Sequence, residues 1–184
     1  NAAEVLAALD GKEYMGEYLG VTDRMGSKKP NPMSHIAYGY ATHLAELDAD
    51  GKVKKIIAAH DSGCIVNPSS IEGQIQGGVV MSMGYALTED FPLKDCVPTA
   101  RFGTLGLLRS TQIPEIEVCL CGKGEGGKAV FVGCKPALAY GAKGVGEISA
   151  IPTAPALAHA YMRRDGKFRP KLPLEDTPYS RKNK

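Results

Sequence analysis

The 184-residue sequence has no apolar run of the roughly 20 residues that a membrane-spanning helix needs, because Gly, Pro or polar residues interrupt every candidate. It also has no excess of one charge: 22 Lys and Arg against 20 Asp and Glu leave +2. The basic tail, residues 163–184, lacks the regular aromatic interleaving of a base-stacking surface. Neither a membrane nor a nucleic-acid partner is therefore expected, and the tail reads as solvated surface, disordered in part or docked on a neighbour.

The five cysteines (Cys64, Cys96, Cys119, Cys121 and Cys134) lack the doubled C-x₂₋₄-C spacing of a zinc site. Reduced thiols in a cytoplasmic protein are expected, with no metal held by this chain's side chains. There is no internal repeat, no initiating Met and no signal-peptide layout at Asn1. An apolar fraction of 43% supports one globular core, so residues 1–184 are expected to be a single domain with an irregular entry over 1–30. The whole is expected to be a fragment or separate subunit of something longer.

What is present reads in order as follows. Ala2 to Leu9 is the end of a helix closing at Asp10-Gly11. Ser34 to Leu47 and Val53 to His60 alternate as strands, and Asp48-Ala-Asp-Gly51 between them predicts an antiparallel hairpin. Calcium is rejected there, because no further acidic ligands follow at the required spacing. His60, at a strand end, reads as a packed histidine before a catalytic one.

Ser69 to Asp90 is the longest helical candidate, with Ile71, Ile75, Val79, Met83 and Leu87 at steps of four. Gly73, Gly77 and Gly78 each cost such a helix about 1 kcal/mol, which makes sense if another backbone or a flat ligand lies on that face. Ile113 to Cys121 predicts another strand. Gly122 to Lys128 fits G-x₄-G-K, but Ala129 stands where a phosphate loop needs Ser or Thr, and a strand-like run follows in place of a helix, so nucleotide binding is set aside.

The richest stretch is Gly141-Ala-Lys-Gly-Val-Gly-Glu147, followed by Ile-Ser-Ala-Ile-Pro and a helix from about Thr153. Three glycines in six residues let a backbone approach something bulky, and a carboxylate enters an apolar run directly after them. Burial raises a carboxylate's pKa toward neutral, which suits a general base. The competing reading is a glycine turn before a helix-capping acid.

Three ordered pieces, the helix motif around Gln74, Ile113-Pro-Glu-Ile-Glu-Val118, and Lys143-Gly-Val-Gly-Glu147 ahead of Ile151-Pro-Thr-Ala-Pro, give a resemblance over roughly residues 31–160. Together they resemble the C-terminal part of the molybdenum-binding subunit of the xanthine dehydrogenase and aldehyde oxidase family. Ala58 to Pro68 resembles that family's run into its cofactor helix. Val97 to Leu108 looks more like the selenium-dependent purine-hydroxylase branch.

The resemblance implies a second molybdopterin-binding lobe of α+β class: a mixed or antiparallel sheet with strands near 34–47, 53–60, 113–121 and 128–132, covered by two main helices. It implies molybdenum held by molybdopterin, in its plain or cytosine-dinucleotide form, contacted by Gln74, Gly73, Gly77, Lys143, Gly144, Val145 and Gly146. It implies that Glu147 is the general base in hydroxylating a purine-like heterocycle or aldehyde with water-derived oxygen. Iron–sulfur and FAD centres on other chains or domains, and the remaining part of the molybdenum subunit, are the implied partners. The alternative is a structural lobe without cofactor.

Overall fold

The structure, a computed structural model, describes residues 1–13, 15–17, 19–35, 37–101, 103–121 and 141–180. Contacts within the chain define two units, Asn1–Ile36 and Ala37–Lys184. In the first, α1 (Ala2–Leu9) forms where expected, because Asn1 and Glu4 complete a reciprocal capping box. None of its residues is buried. The irregular segment beyond it is tied by Asp23, whose carboxylate accepts the Met33 N–H at 2.8 Å.

The second unit is built on a mixed sheet in the order β1-β2-β5. β1 (Tyr40–Leu47) and β2 (Val53–Asp61) form the expected antiparallel hairpin. Gly51 turns it at φ 82°, and Asp48 Oδ1 accepts the Lys52 N–H at 2.8 Å. The first strand starts at Tyr40, later than the alternating pattern from Ser34 suggested.

β5 (Glu115–Cys121) lies on the other side of β2 and runs parallel to it, with Lys55 opposite Glu115 and Ala58 opposite Val118. The crossover passes through α2, as a parallel pair requires. Glu115 and Glu117 both reach the Lys55 ammonium, at 2.9 and 2.6 Å, so the acids of the Ile-Pro-Glu-Ile-Glu motif serve strand pairing.

α2 (Pro68–Leu87) begins one residue before the expected Ser69 and is capped by Asn67, whose side chain accepts the Ser70 N–H at 3.0 Å. Its step-of-four stripe points inward: Ile75, Val79, Met83 and Leu87 are buried. They meet Ile56 and Ala58 of β2 and Leu157 and Tyr161 of α3 (Thr153–Asp165) in one core. A short pair, β3 (Leu93–Lys94) with β4 (Val97–Pro98), follows α2. The expected strand at 128–132, the Gly122–Lys128 loop and Cys134 lie outside the described residues.

Most of the described tail is exposed, as expected of solvated surface, but it is anchored on its own fold at a few residues. Leu174 is 1% exposed, and its N–H reaches the Ala86 carbonyl at 2.8 Å. Arg169 folds back to the Asp165 carboxylate at 2.6 Å and the Glu175 carbonyl at 2.6 Å, over the Tyr161 ring. The Tyr179 hydroxyl accepts the Val53 N–H at 2.9 Å. Average charge concealed these apolar anchors, spaced singly among basic residues.

Between sheet and α3 sits a buried polar chain. His43 Nε2 and His60 Nε2 are 2.7 Å apart, and His43 Nδ1 is 2.8 Å from Thr153 Oγ1. A contact between two ring nitrogens holds one proton between them, so the two rings are never both cationic, and burial favours the neutral form of each. His60 Nδ1 is buried without a partner among the described residues. The tautomer in which His60 donates to His43, and His43 to Thr153, leaves that atom as a bare acceptor, cheaper than an unpaired donor.

Two outcomes follow for stability. Burial, then the neighbouring His60, pushes His43 down from 6.5 to about 4, and burial lowers His60 as well. The unfolded chain takes up these protons below 6.5 and the folded chain does not, so stability present above that pH is lost as pH falls from about 6.5 towards about 4. The urea midpoint should drop across that window, and drop less in His43→Gln; equal slopes for both proteins would contradict it. Leu174→Ala should cost about 2–5 kcal/mol in urea unfolding, as for a fully buried leucine, where a solvated tail would lose almost nothing.

Candidate functional site

The stretch that carries Glu147 is fastened at two places. At the first, the end of β2 continues as Ser62–Cys64 and meets Gly141–Lys143: Lys143 N donates to Ser62 O at 3.1 Å and Cys64 N to Gly141 O at 2.8 Å. Gly63 sits at φ 64°, and a Cβ there would lie 2.1 Å from the Gly141 carbonyl oxygen, so only glycine allows this crossing. The Lys143 side chain, 1% exposed, runs inward to Asp61, with Nζ 2.6 Å from Oδ2. Asp61 Oδ1 accepts the Gly63 N–H at 3.1 Å. One carboxylate thus holds both sides of the crossing.

At the second place the turn after Glu147 lies against α2. Ala150 N donates to Glu147 O at 2.9 Å, and Ser149 Oγ to Gly146 O at 2.8 Å. Ser149 is fully buried on Gly78. From the same helix, Gln74 Nε2 reaches the Gly146 carbonyl at 3.5 Å. A carbonyl only accepts, so the amide turns its NH₂ toward Gly146, and its Oε1 and second N–H remain for a ligand.

Between these elements runs a groove of about 740 Å³ lined by Gly73, Gln74, Gly77, Gly146, Glu147 and the apolar group Met81, Tyr85 and Ile151. A Cβ on Gly73, Gly77 or Gly146 would meet nothing within 4 Å, so the absent side chains are what keep this space open. A separate cavity of about 550 Å³ takes Gln76 with Ile113, Pro114 and Ile116. The two glutamines of the helix motif therefore face different spaces, and Gln74 is the one beside Glu147.

Of the residues singled out in the sequence, Gly73, Gln74, Gly77, Gly146 and Glu147 come together in one groove. Lys143 is buried against Asp61, and neither Gly144 nor Val145 lines the groove. Glu147 is exposed, where a buried carboxylate was expected. The reason is local: among the described residues, Gly73, Gly77 and Gly146 on its groove side have no side chain to cover it. Asp61 and Ser149 were not singled out for the site, and Gly78 was read only as part of the glycine face of α2. The signals for them were slight, a second glycine after Gly77 and a serine two residues beyond the acid.

An open, glycine-walled groove with an amide on one bank and a carboxylate on the other suits a flat, polar-edged organic cofactor beside a group that moves a proton. A model of the molybdopterin cofactor-binding domain family matches residues 3–114, which takes in α2 and Gln74. The chain belongs to that family and is similar to the molybdenum-binding subunits of xanthine dehydrogenases.

A xanthine dehydrogenase molybdenum-binding subunit from Escherichia coli is 32% identical over 123 residues, 66% of this chain and 15% of that protein. A probable xanthine dehydrogenase subunit from Bacillus subtilis is 29% identical over 156 residues, 79% of this chain and 19% of that one. The crystal structure of quinoline 2-oxidoreductase from Pseudomonas putida 86 shares the fold with a TM-score of 0.56 at 21% identity, over 68% of this chain and 16% of that one. The chain thus spans 15 to 19% of the length of these two curated relatives.

The Asp61–Lys143 pair supplies a test of how the Glu147 stretch is held. Asp61→Asn takes the neutralising carboxylate from a buried ammonium and should cost about 3–5 kcal/mol in chemical denaturation. The joint replacement Asp61→Leu with Lys143→Met should cost much less, since it buries no charge; equal losses would show that the pair's charge is immaterial.

Proposed function

We propose that this chain is the glutamate-bearing cofactor lobe of a molybdenum hydroxylase, which oxidises a carbon of a purine-like heterocycle or an aldehyde with oxygen from water. The observation that carries the reading is the meeting of Gln74 and Glu147 across one groove, through the Gly146 carbonyl 3.5 Å from Gln74 Nε2. The organic part of the cofactor, plain molybdopterin or its cytosine dinucleotide, would lie on the open faces of Gly73, Gly77 and Gly146, with Gln74 offering an acceptor and a donor to its polar edge.

When bound, the molybdenum cofactor supplies the two-electron acceptor and the acidification of water that the reaction needs. Glu147 takes the proton from that water at its carboxylate oxygens, and the Gly146 peptide fixes where the side chain starts. Met81, Tyr85 and Ile151 line the same groove and make part of its wall apolar. The remaining part of the molybdenum subunit closes the groove. Iron–sulfur and FAD centres on other chains or domains carry the electrons away, and the setting is cytoplasmic.

Glu147→Gln, made in the complete enzyme, should retain molybdenum and pterin while kcat falls about 10²–10⁴-fold, the usual contribution of a general base. Turnover within tenfold of the parent at equal molybdenum content would remove the base role. Failure of the complete protein to bind molybdenum or pterin would instead favour the structural lobe.

A further inference from the structure

We propose that Ser149 is a positioning residue for Glu147, acting through the Gly146 carbonyl and dependent on glycine at position 78. The inference rests on the reading of Glu147 as the base, and deepens it. Two of the three residues between Lys143 and Glu147 have no side chain to hold them: a Cβ at Gly144 or Gly146 would touch nothing within 4 Å. Peptide planes flanked by such glycines rotate freely unless a carbonyl is fixed from outside.

Two donors reach the Gly146 carbonyl. Gln74 does so at 3.5 Å from an exposed position on α2, and Ser149 at 2.8 Å from a fully buried one. The shorter bond comes from the side chain with no alternative place to go, so Ser149 sets the Gly146–Glu147 peptide plane. The Ala150 N–H, bonded to Glu147 O at 2.9 Å, closes the same turn from the other end.

The serine is in reach because α2 has no side chain beneath it. A Cβ on Gly78 would lie 2.1 Å from Ser149 Oγ, 2.7 Å from its Cβ and 2.9 Å from its backbone carbon. The backbone contact cannot be relieved by a rotamer change, so any larger residue at 78 lifts the whole turn from the helix. Gln74, four residues earlier on that helix, would then lose its distance to Gly146. Amide and carboxylate are thus placed relative to each other by one contact between α2 and the turn.

The test uses the complete molybdenum hydroxylase. Ser149→Ala keeps the Cβ that seats on Gly78 and removes only the hydroxyl. Molybdenum and pterin content should be preserved, and amide exchange across residues 145–150 should speed about tenfold or more as the turn opens locally. kcat should fall about 10–100-fold with KM nearly constant, because a carboxylate displaced by about 1 Å loses rate far more than binding. In a Glu147→Gln background the same change should alter the residual rate less than about twofold, since the misplaced group is already gone.

Gly78→Ala should give faster exchange in the same segment. Unchanged exchange or unchanged kcat in Ser149→Ala overturns the proposal. So does loss of molybdenum, or an equal rate loss in both backgrounds, either of which marks a general structural role. If Glu147→Gln itself stays within tenfold of the parent, the base reading fails, and the exchange measurement still reports separately whether Ser149 holds the turn.

Discussion

The site depends on two crossings at which a Cβ has no room. At Gly63, past the end of β2, a Cβ would lie 2.1 Å from the Gly141 carbonyl oxygen, and at Gly78 of α2 one would lie 2.1 Å from Ser149 Oγ and 2.9 Å from its backbone carbon. Together they fix the stretch from Gly141 to Ala150 at both ends, to β2 and to α2. Between them, a Cβ at Gly144 or Gly146 would meet nothing within 4 Å, and Gln74 reaches the Gly146 carbonyl only at 3.5 Å. Close approach of backbones is the one contact that glycine makes better than any other residue, and it places Glu147 with little sequence spent on the loop itself.

The helix glycines divide the same way. Their cost in α2 admits two explanations, a neighbouring backbone or a flat ligand, and a neighbouring backbone is present at one position. Gly78 meets the backbone of Ser149, whereas Gly73 and Gly77 face open groove. A helix that is notched on one face can therefore dock a loop and leave space for a cofactor within a single turn of itself. The hydrophobic stripe of Ile75, Val79, Met83 and Leu87 on the opposite side holds that notch in place from the core.

Periodicity made much of the fold legible. The stripe on α2, the Asp-Gly hairpin turn and the helix after Ile151-Pro152 are local patterns, and each appears in the structure. Strand direction was not legible for β5, because alternation describes faces and carries no sense of direction; the parallel pairing with β2 follows from the crossover through α2. The tail's anchors were missed because Leu174 and Tyr179 stand singly among charges and have no period. Lys143 looked like a ligand-facing cation beside a glycine motif, and its carboxylate partner, Asp61, lies 82 residues away in the chain. Contacts of that range are set by the tertiary fold and leave no trace in spacing.

The exposure of Glu147 separates what this lobe does from what it needs. A carboxylate facing water is solvated by water, and proton transfer at a matched pKa calls for a drier, shaped surrounding. The groove already supplies one wall of such a surrounding: Met81 and Ile151 are 66% and 64% exposed, large apolar side chains beside a charged one. Under the proposed function, closing the groove would desolvate the carboxylate and cover those side chains at once, so a single docking event would complete both the site and the surface. The lobe's own task is then geometric. Under that function it would fix where the carboxylate begins, through glycine crossings and one buried hydroxyl, and what closes over the groove would complete the site.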